Sequence, residues 1–331
     1  MPKTAKRKTN RTPSSGTTKG KLELRQLLVP LDFSGLARQA LTCAVPLARK
    51  NRAKIHLVHV VQPPTATTAL PGSVFVPTSN EGVVRASQAH LDELAAQLLP
   101  YESRGKTVVR EGNPANEVVT VAKSLQADLI VLSNNGRSGL SRLLLGSTAE
   151  RIVRHAHCPV LTVRRRTSGP AMRLLSLEKP LYPKGLPWRR ILVPLDFSIT
   201  SLRALKTAIP LARQNGAQLM LLNVVEANPY ATGMEGAVLV VPDADLVRSA
   251  EAELPRIARR LVPKTVKATT LVAKGRPADV IVAVAEEKGI DLIVLPTYGH
   301  TGLERLLLGS TAELVVRHAK CPVLVLRSPR D

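Results

Sequence analysis

The 331-residue sequence predicts an α/β protein made of two similar units, each a doubly wound, mainly parallel sheet with helices on both faces. Three observations predict it. The segment LLLGSTAE stands at Leu143–Glu150 and again, letter for letter, at Leu306–Glu313, which marks an internal repeat. Within each half, short apolar runs bounded by turn residues alternate with longer helical periods. Hydrophobic residues make up 44% of the chain and aromatics only 2%, so the cores consist of Leu, Val, Ile and Ala, a palette suited to buried parallel strands under helices.

The elements of the first half follow in order. A strand is predicted near Gln26–Leu31 and a helix near Gly35–Arg49, then a strand near Lys54–Val61. The stretch Gln62–Asn80, rich in Pro and Thr, is a long loop before a helix near Gly82–Leu99. A strand near Thr107–Glu111 ends at the glycine of EGNPA, where Pro114 suits the first turn of a helix near Ala115–Leu125. A strand near Asp128–Ser133, a helix near Ser147–His155 and a strand near Pro159–Arg164 complete the unit. GKT at Gly105–Thr107 looks like the end of a Walker loop, but Pro100 stands where the first glycine is required, and Ala268-Thr269-Thr270 replaces the triplet in the second half. It is therefore the start of a strand.

The second half repeats the pattern. LLVPLDFSGLARQAL (Leu27–Leu41) aligns with ILVPLDFSITSLRAL (Ile191–Leu205), REGNPANEVVTVA (Arg110–Ala122) with AKGRPADVIVAVA (Ala273–Ala285), and Gly136–Val163 with Gly299–Leu326. Glu226–Asp243 matches the long loop. The expected organisation is a tail at 1–22, a first domain at 23–166, a linker at 167–188 and a second domain at 189–328. The linker region carries four prolines and no sustained period, with Trp188, the only tryptophan, expected to dock it locally.

The formal net charge of +22 raises nucleic acid as a partner. Met1–Leu22 holds seven Lys/Arg and no acid, and Arg164–Arg190 holds eight against Glu178 alone, so most of the excess sits in the tail and linker. Charge runs of this kind are usually solvated, and nucleic-acid binding is not expected. The tail lacks the apolar core of a signal peptide, and no run reaches membrane-spanning length; a cytoplasmic protein is expected. Three cysteines make no disulfide framework. Cys158 and Cys321 occupy one repeat position, and His155, His157 and Cys158 do not recur as a set because Lys320 replaces His157. Buried reduced thiols are expected, and no metal site.

The Gly-Ser-Thr step carries the chemistry. Ser147 with Glu150, and Ser310 with Glu313, have the spacing of a capping box. That does not explain Gly136, Gly139 and Gly146, or Gly299, Gly302 and Gly309. A helix mouth opened by glycines presents N–H donors and the positive end of the helix dipole to an anion. It follows the fourth strand, at the carboxyl edge where doubly wound sheets bind ligands. Asp32 and Asp196, in VPLDFS after Pro30 and Pro194, end the first strand at the same edge. Each is either part of a helix cap with Ser34 or Ser198, or the polar wall of a pocket opposite the glycine loop.

With these motifs the sequence resembles the universal stress protein family over Gln26–Arg165 and Arg190–Arg327. Members that bind ATP carry Gly, two residues, Gly, nine residues, then Gly-Ser or Gly-Thr. Gly136 and Gly146-Ser147 match the last two positions, as do Gly299 and Gly309-Ser310, while Ser133 and Pro296 stand in place of the first glycine. The resemblance implies an adenine nucleotide alpha hydrolase-like fold with sheet order 3-2-1-4-5 in each half, and ATP, with or without Mg2+, as cofactor. It places Asp32 and Asp196 near the adenosine, the backbones of Val60 and Val224 on adenine, and Gly146, Ser147 and Thr148, or Gly309, Ser310 and Thr311, on the phosphates. It implies too that the last strands, VLTV and VLVL, face each other between the halves or across a homodimer.

A cytosolic, ATP-binding regulatory module of the stress response is the leading expectation. A dedicated enzyme is not expected, since no catalytic base recurs in both halves; slow ATP hydrolysis is compatible with the motifs. The alternative is an interaction protein without nucleotide, acting through its dimer surface, which Ser133 and Pro296 favour.

Overall fold

A computed structural model describes residues 24–34, 37–63, 80–133, 146–164, 185–186, 188–226, 243–298 and 308–327. The expectations for the tail, the two long loops, the linker up to 184 and the glycine loops at 134–145 and 299–307 lie outside the described residues. The first half holds strands β1 (Gln26–Pro30), β2 (Lys54–Val61), β3 (Arg104–Glu111), β4 (Leu129–Ser133) and β5 (Val160–Val163), with helices α1 (Ala40–Asn51), α2 (Glu81–Leu98), α3 (Pro114–Ser124) and α4 (Ser147–His155). The second half holds β6 (Arg190–Pro194), β7 (Gln218–Val225), β8 (Ala268–Lys274), β9 (Leu292–Pro296) and β10 (Val323–Leu326), with α5 (Ile199–Asn215), α6 (Asp243–Leu261), α7 (Pro277–Glu287) and α8 (Ser310–His318).

Each half has the order 3-2-1-4-5 with all neighbours parallel. In place of two separate sheets there is one of ten strands, because β5 and β10 pair antiparallel about Leu161 and Leu324. Two apolar layers line its faces. One joins Leu27, Val29, Ile55 and Leu57 to α1 and α2, and Ile191, Val193 and Leu219 to α5 and α6. The other joins Leu28, Ile130 and Leu132 to α3 and α4, and Leu192, Ile293 and Leu295 to α7 and α8. Both layers run across the seam between the halves. Trp188, at the end of the expected linker, is buried in the first layer, with no partner for its indole Nε1 among the described residues.

Polar contacts lock the seam. Arg154 donates to Glu150 at 3.1 Å and to Glu313 at 3.2 Å, and Arg317 to Glu313 at 3.0 Å and to Glu150 at 3.1 Å. Arg164, just after β5, donates to the carbonyls of Ala319 and Arg317 at the end of α8, and Arg327, after β10, to that of Arg154 near the end of α4. The guanidinium thus sits at the negative end of a helix of the other half.

One strand begins earlier than the pattern suggests. β3 starts at Arg104 because Lys106 N donates to His56 Nδ1 at 2.8 Å, beside a bulge opposite β2. Gly105 is the close approach that allows it: a Cβ there would stand 2.7 Å from Ile55 O and 2.8 Å from His56 Nδ1. The glycine of GKT serves strand packing.

Candidate functional site

Parallel strands bring the ends of β1, β2 and β4, and of β6, β7 and β9, to one edge in each half, and the connecting helices begin there. Past β1 the pairing runs on, with Leu31 N donating to Val58 O, and past β6 Leu195 N donates to Leu222 O. A tight turn follows. Asp32 Oδ1 accepts from Ser34 N at 2.9 Å and Ser34 Oγ at 2.5 Å; Asp196 Oδ1 accepts from Ser198 N at 3.0 Å and Ser198 Oγ at 2.5 Å. Ser34 Oγ then accepts from Ala37 N, and Ser198 Oγ from Ser201 N, which caps α5. Between them Phe33 and Phe197 take φ +63, a left-handed conformation that a non-glycine residue adopts only when its surroundings impose it. Each aspartate therefore holds the helix start, the capping alternative of the sequence reading, and in doing so is fixed at the carboxyl edge.

Two polar residues near the ends of β2 and β7 anchor this turn, and sequence reasoning passed over them. His59 Nδ1 lies 2.8 Å from Leu31 O and must carry the proton to donate to it; Asn223 Nδ2 donates to Leu195 O at 2.7 Å. They stand at the same repeat position in KIHLVHVV and QLMLLNVV, and that alignment was the signal available. Val60 and Val224 sit at the ends of β2 and β7, where Gly112 N and Gly275 N donate to Val61 O and Val225 O. Both glycines have φ near +137, as the exits from β3 and β8 require. Asn113 caps α3 through Ala115 N and Asn116 N; Arg276 gives α7 no such cap.

The helix mouths correct one expectation. Gly146 and Gly309 are the N-cap residues, extended at ψ 142 and 144, and no side chain caps either helix among the described residues. Ser147 and Ser310 are thus the first helical residues, and Glu150 and Glu313 turn to the arginines of the seam instead of reaching back; the capping box is not formed. The Ser147, Thr148 and Ser310 side chains are exposed and Thr311 half-buried at mouths with uncapped donors.

In the second half the structure connects the mouth to the strand-end aspartate. Gly309 N donates to Thr297 O at 2.8 Å, just past β9, and a Cβ on Gly309 would stand 3.0 Å from that oxygen, so glycine is needed for the approach. Thr200 Oγ1 donates to the next carbonyl, Tyr298 O, at 3.0 Å and lies 2.8 Å from Ser198 Oγ. Asp196, Ser198, Thr200, Tyr298, Thr297 and Gly309 thus form one line of polar contacts between β6 and β9. Leu308, the last of the three repeated leucines, is core. In the first half Pro30, Asp32 and Val60 lie at the matching strand ends. Gly136, Gly139, Gly299 and Gly302 lie outside the described residues.

Burial pushes the thiols up, to about 11 for Cys43 and about 12 for Cys158 and Cys321, so none is a thiolate at neutral pH. Among the described residues no three His, Cys, Asp or Glu side chains group as metal ligands, and no helix is long and apolar enough to cross a membrane.

The model of the universal stress protein family matches residues 23–164 and again 187–327. A universal stress protein of Methanocaldococcus jannaschii is 38% identical over 144 residues, 43% of this chain and 84% of the relative. One of Mycobacterium tuberculosis is 28% identical over 318 residues, 91% of this chain and 96% of the relative. The crystal structure of a universal stress protein from Archaeoglobus fulgidus superposes with a TM-score of 0.61 at 20% identity, covering 93% of this chain and 98% of that one, and so shares its fold. With two matches that together span most of its length, the chain belongs to the universal stress protein family.

Proposed function

We propose that the chain is a tandem adenine-nucleotide-binding module that regulates other processes through its occupied and empty states, in the cytoplasm and without dedicated catalysis. The observation that supports this reading is the line of polar contacts from Asp196 to Gly309, which links a strand-end carboxylate to a helix mouth without a side-chain cap. The phosphates fit Ser310, Thr311 and their amides, and Ser147 and Thr148 in the first half, by dipole and orphan donors. Adenosine fits against Asp196 and Val224, or Asp32 and Val60. A Mg2+ accompanying ATP would draw on the phosphates and at most one nearby carboxylate per half, a donor set that suits a hydrated magnesium ion. Pairing of β5 with β10 inside one chain favours a monomer with both edges of the seam covered.

Protein stripped of ligand and heated with ATP, with AMP and with neither tests it. A hundredfold excess of ligand over Kd stabilises by about 2.7 kcal/mol. No shift with either nucleotide, together with no nucleotide released from freshly purified protein, would favour the interaction-protein alternative. Gly309 N, already given to Thr297 O, and Pro296, without an N–H, support that alternative, since both reduce the donors open to phosphate.

A further inference from the structure

We infer that the Thr297 hydroxyl is a ligand-binding group of the second-half site, donating to a phosphoryl oxygen held at the mouth of α8; this rests on the nucleotide reading above. Thr297 is 2% exposed, and its Oγ1 is buried with no hydrogen-bond partner among the described residues. A buried hydroxyl left unpaired destabilises a fold, and native proteins keep few. A ligand that completes it accounts for its presence.

The strand alternation says which way it points. Leu292 and Val294 belong to the layer under α5 and α6, Ile293 and Leu295 to the layer under α7 and α8. Pairing continues beyond β9, with Thr297 N donating to Leu326 O at 3.0 Å. Thr297 therefore keeps the period of two and projects to the α7 and α8 side. Asp196, an even number of residues after Leu192 and just past the paired Leu195, falls on that same side. The Thr297 carbonyl receives Gly309 N, so its side chain rises from the residue on which the helix mouth rests. Pro296 beside it has no N–H to offer, and the Thr297 hydroxyl is the side-chain donor on the residue that receives Gly309 N. The first half has Asn134 at the aligned position, so the threonine hydroxyl is particular to the second half.

Thr297→Val and Thr297→Ser, made in the full chain and stripped of ligand, test the assignment through two measurements. Thermal melting without ligand reads the orphan: the isosteric valine is expected to melt above wild type and the serine near it. Hydrogen exchange along an ATP titration reads the site, through the midpoint at which the orphan amides of Ser310, Thr311 and Ala312 become protected. Thr297→Val is expected to raise that midpoint about tenfold or more, about 1.4 kcal/mol, with the midpoint at Ser147, Thr148 and Ala149 unmoved and Thr297→Ser close to wild type. An unchanged midpoint in Thr297→Val, or a ligand-free melt below wild type, overturns the assignment alone. Absence of ATP-dependent protection at both mouths of the wild-type protein overturns it together with the nucleotide reading.

Discussion

Replacing Arg317 with methionine tests whether the seam is held by charge as well as by apolar packing. Arg317 and Arg154 each bond one carboxylate of their own helix and one of the other half, at 3.0–3.2 Å, with about 30% of each arginine side chain and 23% of each glutamate exposed. Methionine keeps most of the stem and removes two ion pairs, leaving Glu150 and Glu313 to share Arg154. At 4 Å and an effective dielectric near 20, each unit-charge pair is worth about 4 kcal/mol before desolvation. Exposed pairs keep about 0.2–1 kcal/mol net, whereas stripping one partner from a buried pair costs about 3–5 kcal/mol. Partial burial puts these four groups between the two limits, so Arg317→Met should cost about 2 kcal/mol. Crossing it with Glu150→Gln should give a coupling of about 1 kcal/mol, since they touch directly.

Trp188 makes the assay simple. It is the only tryptophan, 2% exposed in a core layer shared by both halves, so its fluorescence during guanidinium unfolding follows the joined structure. One cooperative transition is expected, because neither apolar layer stops at the seam. A cost within 0.5 kcal/mol of zero for Arg317→Met, or no coupling in the cycle, would show that β5–β10 pairing and apolar burial alone hold the halves.

Arg38→Leu should stabilise the protein by about 1 kcal/mol in the same assay. Its Nε is buried without a partner among the described residues, and the second half carries Leu202, packed on the core, at that position; a loss of stability would show that the guanidinium is satisfied. The three thiols should resist a disulfide reagent at pH 8 in native protein and all react in guanidinium, since burial raises them to about 11, 12 and 12. Rapid labelling of any one in the native state would contradict this. His56 accepts from Lys106 N and donates to Gln26 Oε1, and burial, helped by the Lys106 charge, lowers its pKa. The unfolded histidine then binds a proton that the folded one refuses. Its contribution is full above the ordinary value of about 6.5 and is lost as pH falls from there toward the folded value. His56→Gln should flatten that part of the stability profile, and an unchanged profile would refute the assignment.

Repetition and binary pattern made the elements and the two-sided covering of the sheet legible, while the strand order was an expectation from the family resemblance. The features that stayed hidden depend on groups distant in sequence. Ser-x-x-Glu at Ser147 and Ser310 satisfies every local rule for a capping box, yet two arginines, one from across the seam, draw each glutamate away, and the glycine before the serine takes the cap. The start of β3 depends on a histidine fifty residues earlier accepting Lys106 N. Asp32 and Asp196 were readable as strand-end carboxylates, but their use in a turn that forces a phenylalanine to φ +63 shows no mark in the letters.

Comparing the halves separates two kinds of position. The Asp-Phe-Ser turn, the Gly-Ser-Thr step and the Glu and Arg of the seam are the same in both, and each holds backbone geometry or joins the halves. Several positions on or next to the strand ends differ: His59 stands against Asn223 and Asn113 against Arg276, while Thr200 and Thr297 align in sequence with Leu36 and Asn134. Thr200 closes the path to Tyr298 O, and Arg276 leaves the α7 donors without the side-chain cap that Asn113 gives α3. The strand-end turns of the two halves thus share their backbone-holding residues and differ in the side chains around them. One turn into each helix, Glu150 and Glu313 share the same two arginines, so a single ion-pair network joins the first turns of α4 and α8 across the seam.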